Sequence, residues 1–358
     1  MESEPFYTVF SDQFKDADLV DFKVNPVSRE EYVTVDHNKR FTLGTAHIRT
    51  LNEKLLPLAK LLPLDQGFKK AQHEATIFDV VIQRSKHENN APLRYRSKHE
   101  NNASLRYVVR NARIVANRAA IADIAACKNN WGPLVRIVCG VYQGCLFIKS
   151  EIDDGPVNDN GFLNEVALTL PDAKNADVSW HNSYVQKVVE LGTFEKRNKV
   201  TVYLSGQVDC LDSHGDQVEL KYRKRGLNSS GVFWKSARWF VQSALVGTQS
   251  ILVSEELEQK PNCIDSVKKI CIDQLEDGSY APDAESSWTR NELFAHLQFF
   301  LSRVKYQMLN NRDFPQFKDK IVVIEKAKSS RNFEITEIND NRGRLFPDDF
   351  TEHFDRLW

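Results

Sequence analysis

Asp209, Glu219 and Lys221 are the residues of this chain whose types and spacing could do chemistry. Asp209 closes an apolar run, Val200 to Val208, and a turn then leads into Val218-Glu219-Leu220-Lys221. In an extended chain, residues two apart share a face. Glu219 and Lys221 therefore point one way, and Val218 and Leu220 the other. If the two segments pair as a hairpin, Asp209 reaches the same pocket. Two carboxylates offer hard oxygen ligands to Mg²⁺ or Mn²⁺, and the ammonium can orient water or neutralise charge developing on a phosphate. A lone Glu-x-Lys is equally an ordinary solvated face of an edge strand, so the elements around it have to decide.

Those elements read as alternating strands and helices. Strands are expected at Thr76 to Gln83, Leu105 to Arg110, Leu134 to Cys139, Cys145 to Ser150, Val200 to Val208, Gln217 to Tyr222, Ile321 to Ile324 and Phe333 to Ile338. Helices are expected at Leu51 to Leu62 (interrupted by Pro57), Arg113 to Cys127, Gly161 to Leu170 and Val232 to Leu245. A further helix opens at Thr289, where Glu292 completes a capping-box pattern. The pattern lacks strict strand–helix alternation and predicts an α+β, mixed α/β fold, with central mixed β-sheets flanked by helices. No low-complexity linker divides the chain, so one domain over residues 1–358 is expected. Two twelve-residue copies, RSKHENNAPLRY from Arg84 and RSKHENNASLRY from Arg96, read as a duplicated surface loop over 84–107. A repeat this short, present twice, does not make a solenoid.

The bulk properties narrow the partners. The 358 residues are 41% hydrophobic and 27% charged, with a net charge of −1. That excludes a uniformly basic coat for nucleic acid, so any RNA contact must use a local patch. No run approaches the roughly 18 apolar residues of a membrane helix, and the acidic start Met1-Glu2-Ser3-Glu4-Pro5 has no apolar signal core. None of the six cysteines forms a CxxC pair, which argues against structural zinc and for a reducing intracellular compartment. Nucleus and cytoplasm stay equally open.

Several segments together resemble the DXO decapping exoribonuclease family, whose members remove defective or non-canonical 5′ ends from RNA. Gly161-Phe162-Leu163-Asn164-Glu165 is similar to a Gly-Φ-x-Φ-Glu motif, with Asn164 in an apolar place. Gln207-Val208-Asp209 resembles Glu-Φ-Asp, Glu219-Leu220-Lys221 resembles Glu-Φ-Lys, and Arg238 to Ser243 resembles a helix bearing a glutamine, here Gln242. Arg110, in Val108-Val109-Arg110, stands for the family's arginine motif. The motifs keep the family order from about Phe78 to Leu301. Gln207 departs from the pattern by replacing a glutamate and its charge, and cation affinity depends on the count of charged ligands.

The resemblance implies a metal-dependent nuclease of RNA 5′-end quality control, acting on incompletely capped, 5′-phosphorylated or NAD-capped RNA. Glu165, Asp209, Glu219 and the Leu220 carbonyl would hold Mg²⁺ or Mn²⁺. Lys221 would serve the nucleophile or the oxyanion beside Asp209 and Glu219, Gln242 would contact phosphate or water, and Arg110 and Gln207 would contact substrate. Expected partners are RNA 5′ ends, with a protein partner left open and no membrane. The loss of charge at Gln207 also admits a second reading, a weakened or silent relative that binds RNA ends or a protein.

Overall fold

In the computed structural model, the described residues are 23–26, 30–36, 40–56, 58, 60–64, 76–88, 103–127, 135–151, 160–169, 182–192, 199–227, 230–256, 260–281, 288–310, 320–327, 333–338 and 345–355. A ten-stranded mixed sheet dominates. Its strands are β1 (Lys23–Pro26), β2 (Glu31–Val35), β3 (Phe41–Leu43), β5 (Ile114–Asn117), β6 (Val135–Tyr142), β7 (Cys145–Ser150), β8 (Asn182–Gly192), β9 (Val200–Val208), β14 (Ile321–Lys326) and β15 (Glu334–Ile338). They run in the order β15-β14-β6-β7-β5-β9-β8-β2-β3, with β1 also on β8. A five-stranded sheet holds β10 (Cys210–Leu211), β11 (Gln217–Arg223), β12 (Ser250–Glu256), β13 (Cys263–Cys271) and β4 (Leu62–Pro63). The β5–β7, β5–β9 and β11–β12 pairs are parallel.

Strand β9 shows why the large sheet takes helices on both faces. Val200, Val202 and Leu204 alternate onto one side and pack with α3 (Arg118–Ala126), α5 (Ser230–Val246) and α7 (Arg290–Lys305). Tyr203 faces the other side and packs with α1 (Ile77–His87), α2 (Leu105–Val108) and α8 (Asp348–Asp355). Each of these fully buried side chains contributes roughly 1.5–3 kcal/mol of burial. A second small core under the five-stranded sheet takes Phe162, Leu163 and Leu168 of α4 (Asn160–Leu168). The helix α6 (Ile272–Asp277) follows β13 directly. The mixed α/β fold expected from the sequence is the fold observed.

Four local expectations fail, each for a physical reason. Thr76 to Gln83 is the start of α1, because Thr76 and Asp79 form a capping box that outweighs the β-branched composition. Leu105 to Arg110 is the short helix α2 and a turn, not a strand. Arg113 to Cys127 is strand β5 followed by α3, with the break at Asn117. Leu51 to Leu62 keeps only a 3₁₀ turn at Glu53–Leu55, consistent with Pro57 and Pro63. The duplicated segment is also not all surface loop. Arg84 and Ser85 of the first copy are buried on α1, Leu105 of the second is buried on α2, and residues 89–102 between them lie outside the described residues.

Candidate active site

A hairpin forms only from the two residues after Asp209, Cys210 with Val218 and Leu211 with Gln217, whereas Val200–Val208, expected to pair across the turn, belongs to the large sheet. Asp209, immediately after β9, comes to lie beside β11, where the Leu220 N–H donates to Asp209 Oδ2 at 2.7 Å. Glu219 and Lys221 share a face of β11 as alternation requires, and the Lys221 ammonium donates to Glu219 Oε1. Asp209 and Glu219 are both more than 90% buried. They line one cavity of about 310 Å³ with Lys221, Leu220, Glu165, Gln207 and Gln242. Glu165 comes from α4 and Gln242 from α5, so four elements distant in sequence converge.

Arg110 lies elsewhere. It and Asn111 have φ of 53° and 59°, a left-handed turn that ends α2. The turn aims the Arg110 guanidinium at Glu31 (2.8 Å) and Glu88 (3.1 Å), and it does not line the cavity. The arginine in the site is Arg118, the first residue of α3. Its Nη1 donates to Glu219 Oε2 at 2.8 Å, and its Nη2 donates to Glu219 Oε1 at 3.3 Å and to the Gln207 carbonyl at 2.9 Å. Gly206 permits this crossing, because a Cβ there would stand 2.9 Å from Arg118 Cδ and Nε. Sequence reasoning absorbed Arg118 into an alanine-rich helix. A usable signal was present, since an arginine just past the apolar run Ile114-Val115-Ala116, with Asn117 between, sits at the carboxyl end of a parallel strand, where open sheets bind ligands. Arg49, in a segment with no motif, was missed as well. It is buried and stands 3.3 Å from Glu165 Oε2. Tyr184, opposite Gln207 in the β8–β9 register, and Asn117 also line the cavity and were missed.

The electrostatics follow from burial. Desolvation first, and then the neighbouring Glu219, push the Asp209 carboxyl up to about 6, against the pull of Lys221 and Arg118. Burial also disfavours the Glu219 anion, but Arg118 and Lys221 outweigh it and hold that carboxyl well below its ordinary range. Three acids, Glu165, Asp209 and Glu219, thus face three cations, Arg49, Arg118 and Lys221, in and beside the cavity.

The donor set fits a hard divalent cation. All candidate ligands are oxygens, and the buried Gln242 Oε1 has no hydrogen-bond partner, which leaves an acceptor directed at whatever fills the cavity. As arranged, however, Glu165 and Glu219 are paired with cations while Asp209 accepts from the Leu220 N–H, and among the described residues no group of three acidic, histidine or cysteine side chains is placed to hold an ion. A larger cavity of about 660 Å³ lies beyond the β10–β11 turn, rimmed by Glu30, Glu53, Asp212 and Asp216. Lys269 and His214 also line it, but Asp209, Glu219, Glu165 and Lys221 line the smaller cavity.

This geometry agrees with a family profile described as RAI1 like PD-(D/E)XK nuclease, which matches residues 168–351, just over half of the chain. The chain belongs to the RAI1-like PD-(D/E)XK nuclease family. A decapping nuclease of Caenorhabditis elegans, dom-3, is 24% identical over 243 residues, which cover 61% of this chain and 60% of that protein. The chain therefore spans less than two thirds of that relative's length. Among solved structures, Scheffersomyces stipitis Rai1 in complex with (3′-NADP)⁺ and calcium superposes with a TM-score of 0.65 at 14% identity, covering 99% of this chain and 100% of that one. Candida albicans Rai1 in complex with pU5-Mn²⁺ gives 0.63 at 14% identity, covering 94% and 98%. K. lactis Dxo1 in complex with manganese gives 0.60 at 12% identity, covering 94% and 92%. At these identities the superpositions establish the shared fold, while the family profile establishes membership.

Proposed function

We propose that this chain is a divalent-cation-dependent hydrolase of RNA 5′ ends, acting on incompletely capped, 5′-phosphorylated or NAD-capped RNA in mRNA quality control. The observation that carries the proposal is the burial of Asp209 and Glu219, with Lys221 against Glu219, in a cavity that also receives Glu165 and Gln242. Such a cluster is costly to bury and stabilises nothing that an apolar core would not do better. Family membership and relatives bound to pU5-Mn²⁺ and (3′-NADP)⁺ support the substrate class.

Glu165, Asp209, Glu219 and the Leu220 carbonyl would hold Mg²⁺ or Mn²⁺. When bound, the ion supplies polarisation of the scissile phosphate and an acidified water. The protein's own part is positioning. Arg118 keeps Glu219 ionised and fixed in orientation, and its third hydrogen bond ties that geometry to the β9 backbone. Lys221 neutralises charge as it grows on the phosphate oxygens. The free Gln242 Oε1 accepts a hydrogen bond from the attacking water and so orients it.

A second reading is favoured by one residue. Gln207 supplies no charge where the family pattern has a glutamate, which would leave a chain that binds RNA 5′ ends and turns over slowly or not at all. Incubation with Mn²⁺ or Mg²⁺ and RNAs bearing 5′ monophosphate, triphosphate, unmethylated cap, methylated cap or NAD tests both. Metal-dependent loss of one of these ends, absent in Asp209→Ala, is the expected result. Binding without turnover on every substrate would select the second reading.

A further inference from the structure

We infer that Arg49 is a positioning residue for the acids of the cavity. Its segment, Arg49 to Asn52, is a strut that sets Glu165 on α4 against the hairpin that opens at Asp209, and its guanidinium fork orients the Glu165 carboxylate. This rests on the proposed function and adds to it the device that brings acids from two separate elements onto one ion.

The strut is built from backbone. The Leu211 N–H donates to the Arg49 carbonyl at 2.9 Å, and the Leu51 N–H donates to the Leu211 carbonyl at 2.8 Å. Leu211 stands two residues past Asp209. One residue further along the segment, the Asn52 N–H donates to the Leu168 carbonyl at 2.8 Å, and Leu51 makes an isolated antiparallel bridge to Thr169. The Thr169 hydroxyl in turn donates to the Glu165 carbonyl at 2.8 Å. Four consecutive residues are therefore bonded on one side to the hairpin and on the other to the last turn of the helix that carries Glu165. The Leu51 side chain is buried with Leu168, Cys210 and Leu220, so the segment also fills the space between helix and hairpin.

The Arg49 side chain ties the carboxylate to that frame. Its guanidinium stands 3.3 Å from Glu165 Oε2 and 5.3 Å from the centre of the Phe162 ring. Phe162 and Glu165 are three apart on α4 and so share a face. A planar guanidinium can stack on the ring and donate to the carboxylate at once, which an ammonium on a flexible stem does not reproduce. The side chain is 8% exposed and does not line the cavity, so it acts on the site through Glu165 and not by touching RNA. A carboxylate has two oxygens and about four lone pairs, so a hydrogen bond from Arg49 and ligation of an ion are compatible. Groups that hold a ligating carboxylate in this way fix its orientation, and removing them typically costs about 10–100-fold in metal affinity.

Calorimetric titration of Mn²⁺ into the full chain, without RNA, tests the inference apart from turnover. Arg49→Met should bind Mn²⁺ about 10–100-fold more weakly than the native chain. Arg49→Lys, which keeps the charge without the fork, should also bind it more weakly. The effect should pass through Glu165, so adding Arg49→Met to Glu165→Gln should change Mn²⁺ affinity by less than about twofold. In hydrolysis at fixed, subsaturating Mn²⁺, Arg49→Met should lower kcat and leave KM for the RNA unchanged, and added Mn²⁺ should restore the rate, which a general loss of packing would not allow. Unchanged Mn²⁺ affinity in a folded Arg49→Met would overturn the inference. Tighter binding would also overturn it, by making the guanidinium a competitor for Glu165. If Arg49→Met does not fold, native affinity in Arg49→Lys would do the same. Each of these results leaves the metal-dependent reading standing, whereas no Mn²⁺ binding by the native chain would overturn the proposed function and the strut together.

Discussion

Replacing Arg118 with methionine should destabilise the fold and uncouple Glu219 from its low proton affinity. The two side chains are 7% and 5% exposed and meet at 2.8 Å, so the pair is buried. Removing one member of a buried pair costs about 3–5 kcal/mol because the other charge is left behind. Lys221 still donates to Glu219, which lowers the expected loss to about 2–3 kcal/mol. In a cycle with Glu219→Gln, the coupling should be about 2 kcal/mol by urea denaturation at pH 7. The pH dependence has a definite sign. A carboxyl held below its unfolded value contributes stability that is present above that value, about 4.3, and is lost as pH falls through the folded value. The native chain should therefore lead the Arg118→Met variant most at neutral pH, and the lead should shrink below about pH 4. Additive effects of the two substitutions within about 0.5 kcal/mol, or a lead that persists undiminished into acid, would refute the reasoning.

Other expectations follow from the same contacts. Asp209 has the opposite sign, since an acid raised to about 6 destabilises the fold as pH climbs from its unfolded value to that point. Asp209→Asn should therefore gain on the native chain by roughly 1–3 kcal/mol across that window in metal-free buffer, read as a rise in melting temperature, while losing hydrolysis. Gly206→Ala should cost about 1–3 kcal/mol by overpacking against Arg118, and the cost should shrink in an Arg118→Ala background, which removes the Cδ and Nε it would meet. Arg110→Ala should leave hydrolysis unchanged and cost about 1 kcal/mol or less in a melt, because that guanidinium is a third exposed and sits outside the cavity. Gln207→Glu should raise both the Mn²⁺ affinity and the hydrolytic rate, and an unchanged rate would show that the missing charge does not limit the site.

The part of the site that lies on one hairpin was legible because its geometry is local. Alternation along β11 puts Glu219 beside Lys221 whatever the rest of the chain does. Glu165 and Gln242 came only through family resemblance, since nothing in α4 or α5 by itself says that two helices meet one hairpin. Arg118 and Arg49 were invisible for a related reason. Each acts across a strand boundary that periodicity alone does not reveal, one hidden at the start of an alanine-rich helix and one in an irregular segment. The large sheet was under-read where strands such as β8, β12 and β13 carry enough polar residues to break a clean apolar pattern. Thr76 to Gln83 failed in the opposite direction, where β-branched residues suggested a strand and the Thr76–Asp79 cap made a helix.

The arginines change what the acidic motif means. Read from the sequence, Asp209, Glu219 and Glu165 are three negative charges awaiting a cation. In the fold Glu165 is paired with Arg49 and Glu219 with Arg118 and Lys221, while Asp209 accepts from the Leu220 N–H, and Gln207 brings no fourth charge. The residues that set metal affinity are then as much the cations around the cavity as the carboxylates within it. Catalytic competence at this site is accordingly a property of the charge balance across α3, α4 and the Arg49 segment, not of the Glu-Leu-Lys motif alone.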